Sequence, residues 1–235
     1  MRRVQIPATD LSVSPICLGT SGFGASIPEP QAFELLDAFV AQGGNFIDTA
    51  LIYSDWLPVP KSITEKTLGT WLRQRGSRAQ LVIATKGAHP ELATMHIPRL
   101  SPAEIISDLN KSLANLQIDT IDLYWLHRDD PQIPVSEIID SLHQQVEAGK
   151  IRCFGCSNWQ VDRIAEAQEY AARRGFQGFV ANQPMWSLAE PNLDALPDKT
   201  LVALDSEGNA FHRRTKLAAV PYTSQAHGFF TKLAA

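Results

Sequence analysis

Short apolar runs alternate along the chain with longer segments in which apolar residues recur every three or four positions. The short runs are "PICLG" (15–19), "NFID" (45–48), "LVIATK" (81–86), "IDLYWLH" (121–127), "IRCFGCSN" (151–158), "FVANQ" (179–183) and "LAAVPY" (217–222). Most are continuous and do not alternate with polar residues, the pattern of parallel strands covered by helices on both faces. In "SPAEIISDLNKSLANL", Ile105, Ile106, Leu109, Leu113 and Leu116 form one stripe. Ser101 is placed as its N-cap, Pro102 at the first helical position, and Glu104 closes a capping box. "VSEIIDSLHQQVEAGK" turns Ile138, Ile139, Leu142 and Val146 inward and stops at Gly149. "QVDRIAEAQEYAARRG" repeats the design with Gly175 as the stop, and 30–41 and 64–74 predict two further helices. Ahead of the first strand, "VQIPATDLSV" reads as a small hairpin turning near Ala8 to Asp10.

Strand–helix repetition gives either an open doubly wound sheet or a closed barrel. Asp48, Lys86, His127, Ser157, Asn158 and Gln183 stand at the C-terminal ends of different strands. A barrel gathers such ends at one mouth, whereas an open sheet spreads them along a crevice. The glycines of "GTSGFG" (19–24) have the wrong spacing for a dinucleotide fingerprint. The expected fold is therefore α/β, a (β/α)8 TIM barrel occupying 1–235 as one domain. Seven strands are visible. Residues 184–216 hold Pro191, Pro197 and a helix-like "KTLVALDSEGNAFHRR" with an awkward Gly208, and supply no eighth strand. The expectation is a barrel shortened at its C-terminus.

Composition narrows the classes. The chain has 235 residues, 44% hydrophobic and 20% charged, as in ordinary soluble domains. A net charge of −4 argues against nucleic acid as a partner, and "AARRGF" reads as the solvated end of a helix. No run approaches the ~20 apolar residues of a membrane span. "MRRVQIPATD" lacks the apolar region of a secretory signal. Three cysteines are too few for a disulfide framework, and a cytoplasmic protein with free thiols is expected. "CFGC" (153–156) lies within a strand, which sets its thiols roughly 10 Å apart on opposite faces. "HRDD" (127–130) offers His127, Asp129 and Asp130 to a metal, but the chemistry below needs none, and no metal is expected.

Asp48, Lys86 and His127 converge with Tyr53, which follows Asp48 in the next loop. A tyrosine of pKa ~10 is a poor proton donor or acceptor at neutral pH. A nearby ammonium favours the phenolate and lowers that pKa, a carboxylate holds the ammonium, and a histidine orients a carbonyl oxygen. This is the equipment of carbonyl reduction, given a source of hydride.

At these residues the chain resembles the aldo-keto reductases. The matching blocks are "LGTSGFG" (18–24), "NFIDTALIY" (45–53), "TEKTLGTWL" (64–72), "ATKG" (84–87), "IDLYWLHRDDP" (121–131), "GKIRCFGCSNW" (149–159), "ANQPMWSL" (181–188) and "PYTSQAHGFF" (221–230). They occur in the family's order along essentially the whole chain. The resemblance implies a (β/α)8 barrel using NADPH, with NADH as the alternative, to reduce a small-molecule carbonyl substrate. It implies Tyr53 as general acid, Lys86 and Asp48 as its tuning pair, and His127 as the group that orients substrate. Ser157, Asn158 and Gln183 match positions that bind the nicotinamide carboxamide, and Tyr222 matches the aromatic that stacks on the ring. Ser224 through Gly228, with Ser224, Gln225, Ala226 and Gly228 foremost, match the loop whose backbone amides hold the pyrophosphate, and Gly19 and Thr20 line the same cleft. Trp56 and the loop 88–100 shape the substrate pocket; His89 and His96 of that loop either face substrate or, as expected here, are mobile loop residues. The family's grip on the adenosine 2′-phosphate follows the eighth strand, so a shortened chain is expected to bind NADPH weakly and to be a poorly active or inactive form of a full-length reductase. A non-catalytic, nucleotide-sensing member would carry the same residues, and a Tyr/Lys isomerase or lyase is the remaining alternative.

Overall fold

The computed structural model describes residues 1–233. It begins with an antiparallel hairpin of β1 (Val4–Gln5) and β2 (Ser12–Val13). Ala8 takes a left-handed φ of 58° in the turn between them. Seven parallel strands follow: β3 (Cys17–Gly19), β4 (Phe46–Asp48), β5 (Val82–Gly87), β6 (Ile121–Leu126), β7 (Ile151–Ser157), β8 (Ala181–Gln183) and β9 (Ala218–Ala219). Each pairs with its chain neighbour, without the reversal of order that defines a doubly wound sheet. Between them run α1 (Glu29–Ala41), α2 (Ile63–Arg75), α3 (Pro102–Leu116), α4 (Val135–Glu147), α5 (Val161–Arg174) and α6 (Ser206–Thr215), and α7 (Phe229–Leu233) comes last. The architecture is an incomplete (β/α)8 barrel with a short N-terminal hairpin.

Apart from α6 and α7, the helices begin and end close to where the sequence predicts. Ser101 Oγ accepts from the Glu104 amide, and the Glu104 carboxylate accepts from the Ser101 amide. Such a cap is worth about 1 kcal/mol. Gly175 closes α5 in the left-handed region at φ 68°. The helix expected from "KTLVALDSEGNAFHRR" starts late, at Ser206. Its front half runs extended and pairs with Met185, whose amide donates to Val202 O at 3.0 Å. Asp205 is the N-cap, accepting from the Gly208 amide at 2.7 Å. Gly208 therefore sits in the first turn, where its amide needs an outside acceptor, and not in a helix interior. The run 217–222 forms a regular strand over Ala218–Ala219 and then continues beside β8, the Val220 amide donating to Asn182 O at 2.9 Å and the Tyr222 amide to Pro184 O at 3.1 Å, while Pro184 has no amide to donate in return.

Two apolar clusters separate by strand parity. Phe46, Val82, Ala84, Leu123, Trp125, Cys153 and Ala181 pack inside the barrel with Ile6, Leu11 and Val13 of the hairpin region. The intervening Ile47, Ile83, Tyr124, Leu126, Phe154 and Cys156 pack outward against the helices. Cys153 and Cys156 thus face different cores, and both are free thiols. Stepping by two along each inner row leads to Asp48, Lys86, His127, Ser157 and Gln183, so alternation alone aims all five at the barrel mouth. No helix among the described residues is long and apolar enough to cross a membrane.

Candidate active site

The loop after β4 is tied to β5, where the Thr49 amide donates to Ala84 O at 2.9 Å and the Leu51 amide to Lys86 O at 3.0 Å. Ser54 then takes a φ of 67° and its hydroxyl donates to Ser21 O at 2.7 Å. This bend turns Tyr53 back over the end of β4. Lys86, 1% exposed, lies beneath it. Its ammonium donates to Tyr53 Oη at 2.9 Å, to Thr49 O at 2.8 Å and to Asp48 Oδ2. All three ammonium protons are thereby used. Asp48 Oδ1 accepts from Trp125 Nε1 at 3.0 Å and from Gln183 Nε2 at 3.2 Å. Gly155 leaves room for that indole: a Cβ there would lie 2.5 Å from Trp125 Cζ3 and from Ala181 O.

Burial opposes the charge on Lys86, but Asp48 and then Tyr53 outweigh it and hold the ammonium above its ordinary range. The Tyr53 phenol is pushed up, opposite to the lowering expected from its neighbour. Burial is the largest cause and exceeds the downward pull of Lys86, while Asp48 adds to the rise. In the free chain Tyr53 is a protonated phenol beside a fixed cation. His127 is driven well down by burial, then by Arg128, His89 and Lys86, and is neutral at pH 7. Its ring lies edge-on to Tyr53, with centroids 6.0 Å apart.

Two cavities flank this group. One, of about 500 Å³, is lined by Gly19, Thr20, Asp48, Tyr222, Ser224 and Gln225 among others. A Cβ at Gly19 would meet nothing within 4 Å. The second, of about 410 Å³, is lined by Trp56, His127, Leu92, Met95, Leu201 and Asn158 among others. Tyr53, Gln183, Tyr222 and His227 line both. Trp56 is 56% exposed and meets Tyr53 edge-on at 6.5 Å.

The other expected residues are present but already engaged. Ser157 Oγ donates to Gln183 O at 2.8 Å. Asn158, held at φ 61°, uses its whole amide. Nδ2 donates to His127 O at 3.3 Å and Ser157 Oγ at 3.0 Å, and Oδ1 accepts from the Val202 amide at 3.1 Å and Tyr222 Oη at 2.6 Å. Burial pushes the Tyr222 phenol up to about 12. The Ala226 and Gly228 amides donate within their own turn, to Thr223 O at 2.8 Å and Gln225 O at 2.9 Å. The carboxylates of "HRDD" turn away from His127. Asp129 lies 3.4 Å from Arg163 Nε, and Asp130 Oδ1 accepts from the Gln132 amide at 3.0 Å.

Sequence reasoning missed Trp125 and Arg128, took His227 only as part of the loop 224–228, and read His89 as a mobile loop residue. Trp125 was legible, two positions before His127 on the inner row. Arg128 is buried and clasps the segment after β8, donating from Nε to Thr200 Oγ1 at 2.6 Å and from Nη2 to Asp198 at 2.8 Å. His227 lines both cavities. His89, expected to be a mobile loop residue, is buried with its ring 4.7 Å from that of His127. No local pattern announces the last three, which depend on how distant loops meet.

Fold and site together define a parallel α/β barrel protein with a tyrosine–lysine–aspartate–histidine cluster at the C-terminal mouth. The family model described as the aldo/keto reductase family matches residues 15–233. The chain belongs to that family. It is 36% identical over 198 residues to norsolorinic acid reductase stcV of Emericella nidulans, covering 79% of this chain and 50% of that protein. It is 36% identical over 204 residues to the uncharacterized oxidoreductase YrpG of Bacillus subtilis, covering 84% of this chain and 62% of that protein. With the NADP(+) aryl-alcohol dehydrogenase of Phanerodontia chrysosporium it shares 31% over 210 residues, covering 82% of this chain and 53% of that protein. The chain thus spans between 50% and 62% of the length of these relatives.

Proposed function

We propose that this chain carries the catalytic core of a cytoplasmic, NADPH-dependent reductase of small aldehydes or ketones, with NADH as the alternative nucleotide. The observation that carries the reading is the Asp48–Lys86–Tyr53 chain standing where two cavities meet. The names of the relatives agree, since two denote a reductase and an NADP(+) alcohol dehydrogenase.

The larger cavity suits a nicotinamide nucleotide. Gly19 leaves open space, Tyr222 offers a ring face, and Ser224 and Gln225 border the same cleft. Ser157, Asn158 and Gln183 would hold the carboxamide, with Asn158 exchanging a present bond for the new one. Thr20, Ala226 and Gly228 complete the nucleotide set. A nicotinamide nucleotide held there would supply hydride for the carbonyl carbon. Tyr53 donates its phenolic proton to the carbonyl oxygen, as a phenol kept neutral by burial is fitted to do. The adjacent ammonium stabilises the phenolate that results, and Asp48 fixes the ammonium. His127 directs the substrate oxygen, and Trp56 walls the pocket. No step needs a metal.

The test is nucleotide oxidation with 4-nitrobenzaldehyde, together with fluorescence titration by NADPH. Tyr53→Phe is expected to lose at least ~100-fold in turnover while nucleotide affinity stays nearly unchanged. A Tyr53→Phe variant that keeps most of its activity removes the tyrosine from the chemistry. If the chain shows neither turnover nor nucleotide binding, the functional reading fails.

A further inference from the structure

The loop after β5 is built to carry one side chain to the mouth. Ala88, directly beyond the strand, has a φ of 58°, a conformation costly for a residue with a Cβ. Asp108 on α3, buried behind the strand, holds it there. Its Oδ2 accepts from the Ala88 amide at 3.1 Å, and both oxygens accept from Arg99, at 3.1 and 3.2 Å. Arg99 in turn donates to His89 O at 3.0 Å. The side chain delivered by this clamp is His89. Its Nδ1–H donates to Pro90 O at 2.7 Å, which fixes its tautomer and ring plane.

The ring it meets lacks such a hold. His127 Nδ1 is buried without a partner among the described residues. An unpartnered buried N–H is the rarer kind of orphan, so the proton belongs on Nε2, the nitrogen available to the cavity that His127 lines. No hydrogen bond at Nδ1 enforces that choice. What confines the imidazole is packing: His89 at 4.7 Å and 64° on one side, Tyr53 at 6.0 Å and 76° on the other.

We propose that His89 is a positioning residue, whose clamped ring fixes the orientation of the His127 imidazole and with it the hydrogen-bond donor presented to the substrate oxygen. This rests on the reading of His127 as the group that orients substrate. Neutrality of both rings supports it. Burial, then Arg128, lowers His89 to about 4, so the two rings pack at neutral pH without repelling each other.

Two measurements on the 235-residue chain test the proposal. The first is the long-range 1H–15N spectrum of the histidine rings at pH 7, with variants used to assign His127. The expected wild-type pattern is a single Nε2–H tautomer for His127. His89→Ala is expected to give an averaged or doubled His127 pattern, and His89→Phe, which keeps a flat ring, to restore the wild-type one. A wild-type pattern in His89→Ala, or a His89→Phe spectrum like that of His89→Ala, overturns the proposal. The second is turnover in a double-mutant cycle. His89→Ala is expected to lower kcat about tenfold with nucleotide affinity unchanged, and to cost less than about twofold in a His127→Ala background. A full loss in that background shows that His89 does not act through His127. If the chain reduces no carbonyl at all, the functional reading fails, and the ring spectra still decide whether His89 orders His127.

Discussion

Asp48→Asn tests how the site is held together. The substitution keeps the shape of Asp48 and removes its charge. Asn Oδ1 can still accept from Trp125 and Gln183, now at 3.0 and 3.2 Å from the carboxylate oxygen. The Asn amide group then faces the Lys86 ammonium, donor against donor. Lys86 is 1% exposed, so water does not replace the lost partner. Removing one member of a buried pair costs roughly 3–5 kcal/mol, most of it the burial of the charge left behind. Lys86 limits that loss by giving up its proton, so its pKa falls from its raised value in the variant. The pH dependence has a definite sign. In the wild type the folded-state pKa of Lys86 is raised. Its contribution to stability is therefore complete below the ordinary lysine pKa of ~10.4 and is lost as pH rises through the folded value. Urea unfolding at pH 7 and at pH 10 to 11 measures both effects. Asp48→Asn is expected to lose at least about 3 kcal/mol at pH 7 and to show a weaker decline at alkaline pH than the wild type. Asp48→Asn combined with Lys86→Met is expected to recover most of the loss. An Asp48→Asn variant within about 1 kcal/mol of wild type at pH 7 refutes the account of Asp48 as the counterion on which the buried ammonium depends.

Two further substitutions probe the surroundings. Tyr222→Phe keeps the ring but frees Asn158 Oδ1 from one of its two donors. Since a neutral hydrogen bond is worth about 1 kcal/mol, nucleotide affinity is expected to rise roughly fivefold, and weaker binding in the fluorescence titration refutes the idea that this bond competes with the carboxamide. Gly155→Ala would place a Cβ 2.5 Å from the Trp125 ring. It is expected to cost about 1–3 kcal/mol of stability and to lower turnover by shifting the indole off Asp48, and a melting temperature equal to wild type counts against that packing.

Much of this was legible because a strand has a period of two. Once "IDLYWLH" is read as a strand with Leu123 and Trp125 inside, His127 must follow them to the mouth. The same step from Phe46 gives Asp48, and from Val82 and Ala84 gives Lys86. Helix limits were legible for local reasons as well: Ser101 with Glu104, and Gly175, act within a few residues of themselves. The reading failed where the outcome depended on a partner far away in the chain. Residues 199–204 carry helix-like apolar spacing, but Met185 recruits them into extended pairing and Arg128 pins Asp198 and Thr200. His89 follows a strand by two residues and looks like a loop histidine until Asp108, nineteen positions further on, reaches back to the Ala88 amide.

The error over Tyr53 has a different origin. The sequence supplied the correct neighbours, and Lys86 does pull the phenol down. What it could not supply was the balance between that pull and dehydration, because both follow from bringing the groups together in one buried place. A lysine close enough to stabilise a phenolate is here beneath the barrel mouth, with its own charge spent on Asp48 and its protons spent on Asp48, Thr49 and Tyr53. Such a cation stabilises the phenolate most when charge develops on the oxygen and least while the phenol is intact. The arrangement therefore keeps the proton on Tyr53 at rest and lowers the cost of losing it to an acceptor placed against the hydroxyl. On the proposed reading that requirement makes the orientation of the acceptor decisive, which is the task proposed for His127 and the reason its imidazole would need a fixed plane.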